Sequence, residues 1–208
     1  MDMSDNPFMK RAYQLKDQGE TQAMYGDWAE SYDQTMKDHD YQSPRRIVEA
    51  LQRHSPDRKA LIFDVGCGTG LSGQALAAGG YTKIDGSDVS PEMVAIARSL
   101  DGVYQNLDVV TLDNPFPFDD GHYQVITAMG VIADKHAPPE TIDQLLNKLP
   151  QNGVLIFSLN NHTLENPAYM AACHAAQSSG KAIILEEESG PHMVKLGMTS
   201  KIMVLQKR

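Results

Sequence analysis

From residue 60 onward, apolar positions fall in short runs separated by amphipathic stretches, and glycine or proline marks most of the changes. Ala60–Val65 is an apolar run ending in glycines, which predicts a buried parallel strand. Leu71–Ala78 reads as a helix that stops at Gly79-Gly80, and Thr82–Gly86 as a weak strand. Ser90-Pro91 joins a capping side chain to a proline suited to the first helical turn. The helix it starts carries Met93, Val94, Ile96 and Ala97 on an apolar face and runs to about Leu100. Val103–Gln105, Tyr123–Ala128 and Gly153–Leu159 are further strand segments, with a helix over Pro139–Leu149 before the last. A helix over Glu165–Gln177 leads into Lys181–Glu187 and Ser200–Gln206, two β-prone segments with a Gly-Pro turn region between them.

Ahead of residue 60 the pattern differs. Residues 1–20 are polar and lack an apolar period, which predicts a loosely packed start. Thr21–Lys37 is helix-compatible, and a second helix begins at Ser43-Pro44, with Ser43 as its cap, and passes through Ile47, Val48 and Leu51 to about His54. Ser55–Lys59 reads as a loop. The alternation after residue 60 predicts an α/β fold, a parallel sheet with right-handed crossovers and helices on both faces. The last two strands are close enough to form a hairpin, so one of them is expected to run antiparallel at or near an edge.

Composition narrows the function. Acidic residues outnumber basic ones 27 to 18 over 208 residues, and the Lys/Arg pairs are scattered, so no basic stripe is available to hold nucleic acid. The longest apolar runs, such as Val154–Phe157 and Ala182–Leu185, are far too short to span a bilayer, and the N-terminus lacks a signal-peptide pattern. Two cysteines, Cys67 and Cys173, are too few for a disulfide framework or a cysteine-based zinc site, so no metal is expected. A cytoplasmic protein that avoids both membranes and nucleic acid is the expectation.

The most informative segment is Asp64-Val65-Gly66-Cys67-Gly68-Thr69-Gly70, set between a predicted strand and a predicted helix. Glycines at 66, 68 and 70 let the backbone turn tightly and approach a ligand. Asp88 ends the next strand 22 residues after Gly66, a spacing that suits a carboxylate bonded to two ribose hydroxyls. A nicotinamide dinucleotide satisfies that spacing too. Against it, Leu71 stands where the dinucleotide fingerprint wants Gly or Ala, and Asp64 would repel a pyrophosphate. An acid at 64 fits better beside an ammonium or sulfonium group.

At these residues the chain resembles the class I S-adenosylmethionine-dependent methyltransferases. Phe63–Gly70 is similar to their first motif and Ile84–Arg98 to their second, followed in order by Asn106-Leu107-Asp108, Phe116–Ile132 and Asn147–Asn161. Tyr25–Asp33 and Tyr41–Arg45 further resemble the group of methyltransferase-like proteins of the Williams–Beuren syndrome region and its bacterial relatives. Gln124 departs from the pattern, standing where many relatives have an acid. The resemblance implies a Rossmann-like, doubly wound, mostly parallel seven-stranded sheet with an antiparallel C-terminal strand. It also implies one methyltransferase domain, with residues 1–57 as an N-terminal helical lid and 58–208 as the cofactor-binding core. S-adenosylmethionine would be the cofactor. Asp64 with Gly66, Cys67, Gly68, Thr69 and Gly70 would surround its methionine moiety, and Asp88 would hold the ribose. Val89 and Met93 would pack beside the adenine, Leu107 would flank the ring, and Asp108 would accept from its amino group. Met129 and Gly130 would lie near the sulfonium.

Tyr25, Trp28 and Tyr32 share one helical face. They read either as core packing or as a lid over cofactor and substrate, and the resemblance favours the lid. No histidine pair has metal-ligand spacing; His136, which follows the fourth strand, reads as a surface-loop residue with a crevice-facing position as the alternative. No catalytic base is assigned. The preferred function is methyl transfer to a small-molecule acceptor. A non-catalytic cofactor-binding module and a protein or nucleic-acid methyltransferase stand as alternatives, the latter disfavoured by the acidic charge and by Ala128-Met129-Gly130-Val131 after the fourth strand.

Overall fold

The computed structural model describes residues 18–55, 57–133 and 136–208. Most of the expected loosely packed start lies outside the described residues. Helices α1 (Gln18–Asp38) and α2 (Ser43–His54) come first, followed by α3 (Leu71–Ala78), α4 (Pro91–Arg98), α5 (Glu140–Lys148), α6 (Asn161–Leu164) and α7 (Pro167–Ser178). Strands β1 (Ile62–Val65), β2 (Ile84–Asp88), β3 (Asn106–Val109), β4 (Val125–Ala128) and β5 (Val154–Asn160) run parallel. β7 (Thr199–Lys207) pairs antiparallel with β5, and β6 (Ala182–Pro191) pairs antiparallel with β7. The order β3-β2-β1-β4-β5-β7-β6 reverses direction between β1 and β4, so the ends of those strands open a crevice for a ligand.

Alternation along each strand sorts the core into two layers. Phe63, Val65, Ile126, Leu155 and Phe157 face α5 and α7, where they meet Ile142, Leu145, Leu146 and Tyr169. Ile62, Ile84, Val125, Val154 and Ile156 face the other way, against Ile47, Val48 and Leu51 of α2 and Leu76 of α3. A third apolar cluster joins Met24, Trp28 and Met36 of α1 to Met193 and Met198 in the β6–β7 connection. Among the described residues no helix is long and apolar enough to cross a membrane.

The seven strands and their mixed direction agree with the sequence reading, whereas several boundaries move. The second strand begins at Ile84 rather than Thr82 and continues to Asp88, because parallel pairing with β1 extends through Val65 and Ser87. The third strand occupies Asn106–Val109 and not Val103–Gln105. Tyr104 leaves that strand to turn inward, its hydroxyl donating to Asp64 Oδ2 at 2.8 Å and accepting from the Gly73 N–H at 3.1 Å. The expected helix over Glu165–Gln177 is α7, two residues later at its start, and a separate short helix, α6, precedes it where none was expected; each is opened by an asparagine side chain, Asn166 and Asn160 respectively. Ser43 does not cap α2: Gln42 holds that place, and the Ser43 hydroxyl pairs with His192 Nδ1 at 2.8 Å.

Candidate functional site

Two adjoining cavities lie at the C-terminal ends of the parallel strands. The larger, of about 380 Å³, is bounded by Gly66 and Gly68 of the loop after β1, by Asp88 and Val89 after β2, and by Met93 of α4 and Met129 after β4. The smaller, of about 290 Å³, lies beneath α1, between its aromatic side chains and the start of α6. Tyr25, Tyr32, Gly130 and His136 belong to both walls.

The glycine loop has the left-handed backbone its sequence implies, with φ of +62° at Gly66, +54° at Gly68 and +99° at Gly70. At Gly66 a side chain is excluded twice, since a Cβ there would also lie 2.3 Å from Val131 Cγ2. Asp88 braces this loop: Oδ2 accepts from the Gly68 N–H and Oδ1 from the Ser90 N–H, each at 2.9 Å. Burial raises its carboxyl pKa, and the backbone N–H groups of Ser90, Gly68 and Val89 oppose the rise. A carboxylate placed there can accept from vicinal hydroxyls in the cavity. Ser87 stands on the same wall with its Oγ buried and unpartnered. Ser90 Oγ accepts from the Met93 N–H at 3.2 Å, which starts α4 and sets Met93 against the cavity.

Other residues expected at the ligand lie elsewhere. Asp64 is fully buried beneath the loop, where Ser72 and Tyr104 donate to Oδ2 and Thr127 donates to Oδ1. Its contact is therefore with the loop's foundations rather than with the cavity, and burial raises its pKa despite the three hydroxyls. Cys67 is buried and its thiol is pushed up by desolvation. Thr69 donates to Asp33 of α1, tying the loop to that helix, and Gly70 caps α3. Leu107 and Asp108 fall on the edge strand β3 away from the cavity; Val110, Leu112 and Phe116, a few residues on, form that wall.

Tyr25 and Tyr32 reach both cavities, whereas Trp28 lines the smaller one alone and is otherwise buried in the α1 cluster. Trp28 stacks on Tyr25 at 5.9 Å between centroids and meets Tyr32 edge-on at 4.9 Å. Burial holds the Tyr32 hydroxyl well above its usual range, so it keeps its proton at neutral pH. His136 is not a surface residue: it lies half-buried at the junction, with Nε2 3.0 Å from Tyr25 Oη. His192, also on the wall of the smaller cavity, is held neutral by burial beside the Arg46 charge, its pKa lowered to about 4. The place of His136 after the fourth strand is the one local signal for it, and nothing local marks His192, whose partner Ser43 is 149 positions away.

Comparison with known proteins adds four similarities. The sequence pattern of a family described as a methyltransferase domain matches residues 38–189. Human methyltransferase-like protein 27 is 32% identical over 170 residues, covering 80% of this chain and 68% of that protein. The malonyl-[acyl-carrier protein] O-methyltransferase of Halalkalibacterium halodurans is 30% identical over 54% of this chain, and the chain spans only 44% of that enzyme. In fold, the chain is similar to magnesium protoporphyrin IX methyltransferase from Synechocystis PCC 6803, solved with bound S-adenosylmethionine, with a TM-score of 0.61 at 19% identity over 91% of this chain and 83% of that one.

Proposed function

Because this chain belongs to the class I S-adenosylmethionine-dependent methyltransferases, we propose that it moves a methyl group from that cofactor to a small-molecule acceptor. The observation that carries this reading is the pairing of two cavities that share the wall Tyr25, Tyr32, Gly130 and His136. In this reading the larger cavity takes the cofactor. Asp88 accepts from the ribose hydroxyls, Val89, Met93 and Met129 supply apolar contacts, and Gly66 and Gly68 allow close backbone approach. Asp64 and Thr69 hold the loop in place from behind. Bound S-adenosylmethionine supplies a methyl group on a cationic sulfur, so the protein has to align a nucleophile with it and keep water out. Residues of α1 act as the lid, with Tyr25 and Tyr32 covering the junction and Trp28 the smaller cavity. A second cavity of only about 290 Å³ supports a compact acceptor, as does the acidic charge of the chain.

Calorimetry with S-adenosylhomocysteine, followed by transfer of labelled methyl groups from S-adenosylmethionine into a metabolite extract, tests the reading. Micromolar binding and a labelled product of low molecular mass are expected. Label recovered only in protein or nucleic acid would overturn the acceptor class.

A further inference from the structure

The smaller cavity has a chemistry of its own, and its reading rests on the cofactor occupying the larger one. Its wall carries several rings: Tyr25, Trp28, Tyr32 and Tyr41, with His192 edge-on against Tyr41 at 5.1 Å between centroids. Among the described residues no lysine or arginine lines it, and Glu165 at the rim is largely exposed. His192 carries no charge at neutral pH, and its Nδ1 is held by Ser43. At the far end, Asn160 uses its amide oxygen to cap α6, accepting from the Thr163 N–H at 2.9 Å, which leaves its N–H donors on the cavity wall. A flat, uncharged body with polar substituents fits these surfaces.

The junction supplies the other half of the chemistry. Tyr25 and His136 are the two ionisable side chains that line both cavities and are hydrogen-bonded to each other, Oη to Nε2 at 3.0 Å. We propose that the smaller cavity binds a hydroxylated aromatic compound and that Tyr25 and His136 form a proton relay which ionises the hydroxyl to be methylated. As the acceptor O–H gives its proton to the Tyr25 oxygen, the Tyr25 proton passes to Nε2 of His136, leaving an imidazolium. The electron pair freed on the acceptor oxygen forms the new bond to the methyl carbon, whose bond to sulfur breaks with its electrons remaining on sulfur. The products are an aryl methyl ether, S-adenosylhomocysteine and one proton, released to water when the imidazolium deprotonates. Tyr32, the other hydroxyl at the junction, stays protonated and serves as a donor.

Trp28 is the only tryptophan of the chain and lines this cavity, so its fluorescence reports occupancy independently of turnover. The full chain, loaded with S-adenosylhomocysteine, is titrated with 4-methylcatechol, 4-nitrocatechol and 4-methylaniline. Transfer from S-adenosylmethionine to each is then measured across pH. Quenching by the catechols and O-methylation of both are expected, with kcat/KM for 4-methylcatechol rising along an ascending pH limb. His136→Gln keeps a hydrogen-bonding group near Tyr25 but cannot take the proton, and it is assayed at saturating S-adenosylmethionine. Its kcat on 4-methylcatechol should fall about 100-fold or more, the ascending pH limb should vanish, and 4-nitrocatechol, already ionised near neutral pH, should lose far less. Tyr25→Phe should behave similarly. Equal losses on both catechols with the pH limb intact would overturn the relay and leave His136 a structural residue. Methylation of the amine alone, or no quenching and no transfer with any probe while S-adenosylhomocysteine binds, would overturn the acceptor class. Failure of wild-type protein to bind S-adenosylhomocysteine would instead defeat the parent reading.

Discussion

Asp88 and Gly68, 20 residues apart in sequence, are joined by a 2.9 Å hydrogen bond from the glycine N–H to the carboxylate, which locks the end of β2 to the loop after β1. The same carboxylate faces the larger cavity, so its support of the loop and its access to a ligand come from one side chain. Asp88→Ala should weaken S-adenosylhomocysteine binding by about 2 kcal/mol, some 30-fold, with the fold retained by circular dichroism. Unchanged affinity in calorimetry would remove Asp88 from the cofactor site.

Gly66 and Gly68 of the loop should respond unequally to alanine. Gly66→Ala meets both the left-handed backbone penalty and the Val131 contact, for a combined loss of about 3 kcal/mol, whereas the Cβ of Gly68→Ala enters open space and costs about 1–2 kcal/mol. Adding Val131→Ala should restore part of the Gly66→Ala loss and none of the Gly68→Ala loss. Urea midpoints of the four variants decide it, and equal losses at 66 and 68 would refute the steric part.

Asp64 should matter more for stability than its distance from the cavity suggests. Asp64→Ala strands the hydroxyls of Ser72, Tyr104 and Thr127 in the core and should cost about 3 kcal/mol or more. Asp64→Asn keeps an acceptor and should cost less. Because burial raises the folded carboxyl pKa, wild-type protein loses some stability as pH climbs from the ordinary carboxylate range through that raised value. Denaturant melts across that range should show a flatter slope for Asp64→Asn.

His192 has the opposite pH signature. Its pKa falls from 6.5 to about 4 on folding, so the stability it contributes is full above 6.5 and is lost as pH drops toward 4. The window corresponds to about 3 kcal/mol. His192→Asn retains a partner for Ser43 in the place of Nδ1 but does not titrate there, and it should reduce the acid destabilisation seen in thermal melts between those pH values. An identical pH slope in the variant would assign that destabilisation to other groups.

The order of strands and helices, the antiparallel C-terminal strand, and the loop with Asp88 at its far end are all legible from residues 60 to 206 alone. They rest on local rules: apolar runs of strand length, proline and serine at helix starts, and glycines where the backbone turns left-handed. Such signals need only neighbouring residues to be read. The wall residues follow a different rule. Leu107 and Asp108 fit the motif by position, yet both lie within the edge strand β3, and Val110 and Leu112 in the segment after it line the cavity. Tyr104 looks like a strand residue until Asp64 draws its hydroxyl inward. His136 acquires a role only because α1 lays Tyr25 across the chain beside it, and Ser43 gives up a cap to hold His192. Long-range contact decides such placements, since the energy of burying or pairing a side chain depends on partners that no local window of sequence contains.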